Sequence, residues 1–338
     1  MNKITISEEL KLENLQNLSH LAKRLGKDPQ HLFNKIFSDN RKFPYFMDDI
    51  FKCVIDGHFL EKNPKDLVYL DLGAGFGINL TSGLLNGFRC YGVEPSPNSF
   101  TGTYYIALKL MQENGISKPE EKLFNCYGEN MHIINDGFAD VVYSYQVLEH
   151  VKNIDEVFRE TKRVLKPNGV AYFTMPNYNS FYEGHYEIFW IPFILSKSKF
   201  LSKIYLKILK RNPIFIDELN FTTPYNIKRK AQRIFEKGEV FVLPWGVRYF
   251  GRFNKYIYAA GLISFYNEVK RKHKHVSLCL ENSFPFLAKL NTKTKLKFLG
   301  FVSKLILFLF SPFITDFRLI ILYGGYHEEY KAITTSSK

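Results

Sequence analysis

The sequence predicts an α/β protein: a doubly wound, mostly parallel sheet, preceded by a helical cap and followed by a basic, largely helical lid. Three observations predict it. From Asp66 to about residue 176, short apolar runs alternate with helical stretches, the pattern of a parallel sheet covered on both faces. Ahead of that, residues 6–58 repeat apolar positions at three- and four-residue spacing. Beyond it the charge changes: residues 1–180 carry net −2 and residues 181–338 net +15, so the whole excess of +13 sits in the second part. This divides the chain into a cap (1–62), a core (63–180) and a lid that also returns the final strands of the sheet (181–338).

The elements follow in order. In ISEELKLENLQNLSHLAKRLG, Leu10, Leu15, Leu18, Leu21 and Leu25 mark one helix face, Ser7 can cap the start and Gly26 stops it. Further helices are expected at Pro29–Phe37 and Phe46–Asp56. Strands read at 67–73, 89–95, 123–128, 139–146 and 169–176, with helices near 76–86, 98–114 and 154–165 between them. A helix capped by Thr222 or Thr223, with Pro224 in its first turn, leads to a strand at Glu239–Leu243. The last strand reads at 317–325, with residues 262–268 as the alternative for the sixth.

Composition excludes several classes. With 46% hydrophobic and 23% charged residues, the 338-residue chain is globular rather than disordered. Cys53, Cys90, Cys126 and Cys279 lie far apart without a CxxC pair, which argues against a disulfide framework or a zinc cluster and fits a reducing compartment. The charged start lacks the apolar stretch of a signal peptide, and no run of 18 apolar residues is present. A cytoplasmic location is expected, with a peripheral place on the inner membrane face as an option.

The sharpest motif is Asp71-Leu72-Gly73-Ala74-Gly75-Phe76-Gly77, directly after an apolar strand. Glycines here let the backbone take positive φ and approach a ligand closely. Glu94, about twenty residues on, ends the next strand and can accept hydrogen bonds from both ribose hydroxyls, which implies a nucleoside. The spacing is GxGxG, with Ile78 where a dinucleotide fingerprint has its third glycine. Asp71 would oppose a pyrophosphate and suit a cationic ligand. S-adenosylmethionine, with its ammonium and sulfonium groups, fits better than NAD.

On these residues the sequence resembles the class I S-adenosylmethionine-dependent methyltransferases, in the D-x-G-x-G-x-G group with a Rossmann-like core. The resemblance spans residues 67–177. It implies that Asp71, Gly73, Ala74, Gly75 and Gly77 hold the cofactor, that Glu94, followed by Pro95, takes the ribose, and that Glu129 and Asn130 contact the adenine. Tyr145, within the fourth strand, joins that set. ADVVYSYQVLEHV (139–151) and RVLKPNGVAYFTMPN (163–177) match the family's fourth strand and the turn into its fifth.

An alcohol acceptor must lose a proton as methyl is transferred, which calls for a general base. The segment after strand five, MPNYNSFYEGHYEIFWIPF (175–193), hangs over the open edge of the site, and His185 is the first choice, with His150 second. Its aromatic residues suit the apolar faces of sugar rings, and the segment resembles one in bacterial methyltransferases of surface-polysaccharide synthesis. A saccharide or glycoconjugate hydroxyl is therefore the leading acceptor. A quinone-type or lipid-like acceptor and RNA are the alternatives, and a non-catalytic cofactor- or membrane-binding module is the reading from another class. RNA 3′-end methyltransferases hold a divalent ion on a Glu-x-x-Glu-His cluster and a later His. The similar positions here are Gln146, Glu149, His150 and His185, and the amide at Gln146 weakens hard-cation binding, so no metal is assigned.

Residues 189–211 and 293–314 read as basic amphipathic helices, suited either to pack as a lid or to lie on an anionic membrane. No nucleic-acid-binding signature accompanies them. The sequence leaves the oligomeric state open.

Overall fold

In a computed structural model the described residues are 4–37, 49–96, 102–236, 238–247, 254–290 and 293–324. Three helices open the chain: α1 (Glu8–Leu25), α2 (Pro29–Phe37) and α3 (Asp49–His58). Ser7 accepts from the Leu10 amide and Gly26 closes α1 at φ 65°, as the sequence predicts. The first residues of the third expected helix, 46–48, lie outside the described residues.

The core then alternates as expected: β1 (Val68–Leu72), α4 (Ile78–Leu85), β2 (Arg89–Val93), α5 (Thr103–Glu113), β3 (Leu123–Phe124), β4 (Ala139–Tyr145), α6 (Ile154–Val164) and β5 (Leu165–Pro176). The start of the helix expected at 98–114 also falls partly outside the described residues. β3 is shorter than its expected 123–128, because the Cys126 amide turns back to Phe124 O at 3.1 Å and leaves the ladder. The lid brings a short hairpin of β6 (Tyr182–Glu183) and β7 (Ile188–Phe189), then α7 (Lys199–Ile208) and α8 (Pro224–Ile234). The remaining elements are β8 (Gly238–Val247), α9 (Asn254–Val269), α10 (Lys274–Ser283), α11 (Pro285–Ala288), α12 (Lys293–Leu309) and β9 (Ile314–Tyr323).

The sheet order is β3-β2-β1-β4-β5-β9-β8. The first five strands are parallel, and β9 runs antiparallel between β5 and β8. Strand order reverses at β1, beside β4, and doubly wound sheets bind ligands outside the carboxyl ends of the strands at such a point. Side chains alternate between two cores. Tyr69, Tyr143, Tyr172 and Ile320 face the layer of α3, α9 and α10, while Leu70, Val142, Phe173 and Ile321 face α6 and α8.

Two expectations change. Residues 262–268 are not a strand but part of α9, where Leu262, Phe265, Tyr266 and Val269 follow helical spacing and pack into the first core. The stretch 189–211 is not one helix: β7 and a turn through Pro192 precede α7, which starts only after Ser198, whose hydroxyl caps the Leu201 amide. At α8 the cap is Thr223 rather than Thr222, in a reciprocal box with Asn226. Thr222 instead donates its hydroxyl to Pro176 O at 2.6 Å.

Candidate active site

The glycine turn leaves β1 and enters α4. The amides of Gly73 and Ala74 both donate to Val93 O, at 2.8 and 2.9 Å, and the Gly77 amide donates to Ala74 O at 2.9 Å. Gly73, Gly75 and Gly77 all have positive φ (78°, 55° and 74°). Their surroundings differ. A Cβ at Gly73 would stand 2.5 Å from Val147 Cγ2, and one at Gly77 would stand 2.8 Å from Ala107 Cβ. A Cβ at Gly75 would meet nothing within 4 Å, so open space lies above that residue.

Glu94, just past β2, closes the turn. Its Oε2 accepts from the Gly75 amide at 2.9 Å and its Oε1 from the Thr103 hydroxyl at 2.6 Å. Asp71 is buried in β1 between Gly92 and Tyr143, and its Oδ2 has no hydrogen-bond donor. Burial raises its carboxyl well above the usual range, with Tyr143 opposing the shift. A cation nearby would favour the carboxylate. The open cradle, the ribose-type carboxylate and the orphaned Asp71 oxygen fit S-adenosylmethionine.

The other residues expected at the cofactor are placed differently. Pro95 leads to Ser96, whose amide donates to Asn125 Oδ1 at 2.9 Å and ties the β2 loop to the β3 loop. Tyr145, at the end of β4, meets Trp245 edge-on at 5.6 Å. The Glu129 carboxylate accepts from the Lys152 and Asn153 amides, at 2.6 and 3.4 Å, and so holds the turn before α6. Asn130 is exposed, its amide bonded to Tyr127 O at 3.0 Å.

His150 and His185 come together beyond β4. Their Nε2 atoms stand 3.3 Å apart. His185 Nδ1 lies 2.7 Å from Glu183 Oε1, and Glu183 Oε2 accepts from the Tyr186 amide at 2.7 Å. Burial would raise the Glu183 carboxyl, but the His185 charge and these hydrogen bonds hold it below its usual value. Burial, then His185, pushes His150 well down. Glu149 is 1% exposed, neither oxygen has a hydrogen-bond donor, and burial raises it to about 8. Ligand atoms of Glu149, His150 and His185 all lie within 4.8 Å of one another, so these three could hold a metal ion. Gln146 turns instead to Asp316 Oδ1 at 3.3 Å. Val147, packed on Gly73, ties this cluster to the glycine turn.

Sequence reasoning missed Thr103 and Val147. Thr103 lies within the helix expected near 98–114 with nothing local to single it out, and Val147 is one apolar residue among many. Of the aromatic segment, Tyr178, Tyr186 and Trp190 are buried in a lid core with Leu206 and Phe215, whereas Phe189 and Phe193 are exposed.

A family described as a methyltransferase domain matches residues 49–208. Human thiol S-methyltransferase TMT1A is 36% identical over 107 residues, which cover 32% of this chain and 41% of that protein. The ubiquinone biosynthesis O-methyltransferase of Rickettsia bellii (strain OSU 85-389) is 29% identical over 165 residues, covering 46% of this chain and 64% of the relative. The chain thus spans less than two thirds of the length of these relatives. Phosphoethanolamine N-methyltransferase 2 of Haemonchus contortus, solved in complex with S-adenosyl-L-methionine, superposes with a TM-score of 0.42 at 15% identity, covering 81% of this chain and 52% of that one. Residues 49–208, just under half of the chain, are thus similar to a methyltransferase domain.

Proposed function

We propose that the chain transfers a methyl group from S-adenosylmethionine to an oxygen of a small lipid-like or lipid-linked acceptor. The observation that carries methyl transfer is the Gly75–Glu94 pairing under an open cradle. When bound, the cofactor supplies a methyl group on a positively charged sulfur. Glu94 holds the ribose, Asp71 faces positive charge, and the glycine turn admits the ligand. The acceptor hydroxyl would approach His185 Nε2 beside its contact with His150 Nε2. His185, oriented by Glu183, takes its proton as the new C–O bond forms and the C–S bond breaks.

Support for an oxygen acceptor of quinone type comes from the relatives named for ubiquinone biosynthesis. With Tyr178, Tyr186 and Trp190 buried, the exposed Phe189 and Phe193 are left for sugar stacking, and a saccharide enters this proposal as the head of a lipid-linked acceptor. Glu149 favours a second reading, in which the cluster binds a divalent ion that holds the acceptor oxygen.

Radiolabelled S-adenosylmethionine, offered with quinols, lipid-linked saccharides, thiols and RNA, tests the proposal. Label on an oxygen of either lipid-like class is expected. Label only on thiols or RNA, or cofactor binding without turnover, would overturn it. Activity lost to a chelator and restored by Mn²⁺ or Zn²⁺ would favour the metal reading over the free base.

A further inference from the structure

The lid leaves large apolar side chains in solvent. Phe200 (70% exposed), Ile204 and Ile208 (72%) recur every four residues along α7. Phe298, Phe301, Leu305 and Phe308 (77%) make a second stripe on α12. Exposed apolar groups this large and this regularly spaced mark an interaction surface.

The stripes belong to one connected unit. Tyr205 of α7 donates its hydroxyl to Phe189 O at 2.9 Å. Phe189 stacks on Phe181 at 5.4 Å, and Phe181 meets Phe313, just past α12, at 5.0 Å. The Phe181 amide also donates to Pro312 O at 2.6 Å. The β6–β7 hairpin therefore bridges the two helices, and it carries Glu183, the partner of His185.

The charge around the surface selects its partner. Lys197, Lys199, Lys207 and Lys210 are exposed along α7, and Lys304 is exposed on α12. Two copies of so basic a face would repel each other. An anionic bilayer accepts both features, the apolar tips at the acyl boundary and the lysines among the headgroups. Among the described residues no helix is long and apolar enough to cross a membrane, which suits helices that lie on it.

We infer that α7, the β6–β7 hairpin and α12 form a docking surface for an anionic lipid bilayer. Entry of the lipid-like acceptor from that side rests on the proposed function, whereas the docking itself does not. Binding is read without turnover, so the two ideas fail separately.

Sedimentation of the full chain with phosphatidylcholine vesicles, with and without phosphatidylglycerol, tests it. Binding at least about tenfold tighter to the anionic vesicles, and weaker at high salt, is expected. F200S/I208S and F301S/F308S should each weaken it about fivefold or more, while S-adenosylhomocysteine affinity stays unchanged. Equal failure to bind both vesicles would overturn the inference. So would variants that bind like the parent, or a face that instead captures RNA or a second copy of the chain.

Discussion

The Thr103 hydroxyl donates to Glu94 Oε1 across 2.6 Å, so the carboxylate proposed to take the ribose is already fixed by the first turn of α5. Its other oxygen is held by the Gly75 amide. Glu94→Ala removes the acceptor for the ribose, and charge-assisted hydrogen bonds contribute roughly 1.5–3 kcal/mol each. Cofactor affinity should fall more than about tenfold by calorimetry. Thr103→Val keeps the carboxylate and loses only the anchor. It should cost about 1 kcal/mol of stability with cofactor affinity within about threefold of the parent. Unchanged affinity in Glu94→Ala would remove Glu94 from the site.

Gly73 and Gly75 separate folding from binding. Both have positive φ, which costs a side chain roughly 1–2 kcal/mol. Gly73→Ala adds a clash with Val147, and overpacking costs roughly 1–3 kcal/mol more. Chemical denaturation should show Gly73→Ala clearly less stable than Gly75→Ala. Gly75→Ala should fold and lose cofactor affinity, because its methyl enters the open cradle. Equal stability of the two variants would contradict the packing of Val147 on the turn.

His185→Ala should lower turnover roughly 10²–10⁴-fold with cofactor affinity near normal. Glu183→Gln, which keeps a hydrogen-bond acceptor beside Nδ1, should fall less. A turnover unaffected by His185→Ala would reject His185 as the proton acceptor. Equal losses in both variants would indicate that the Glu183 charge, not ring orientation, matters.

The fold was legible because its signals are local. Ser7, Gly26 and Thr223 cap helices through groups within a few residues, and the continuous apolar runs of β1 and β5 mark strands buried on both faces. The glycine turn and Glu94 were legible for the same reason. The pairing of His185 with His150 was legible only through the resemblance to a metal-binding cluster, because it joins residues 35 positions apart through a lid whose path no local pattern fixes. The aromatic segment misled because composition cannot distinguish a ligand platform from the lid's own core, where Trp190 is buried. The 262–268 stretch misled because a short apolar run fits a strand or a buried helix equally well.

His58 gives the stability a pH dependence away from the site. It is 5% exposed, and its Nε2 lies 2.8 Å from Asn168 O. Burial lowers its pKa from 6.5 to about 4, against the carbonyl's pull. Between those values the unfolded chain binds a proton that the folded chain refuses, so stability is full above the unfolded value and falls as pH drops towards 4. The loss should reach about 2 kcal/mol by pH 5. His58→Gln keeps a donor for the Asn168 carbonyl and cannot take the proton. Urea midpoints at pH 7.5 and pH 5 should therefore differ less in this variant than in the parent, by about that amount. The same drop in both would place the acid sensitivity elsewhere, with His150 the next candidate, because burial and then His185 push its pKa well below the usual imidazole value.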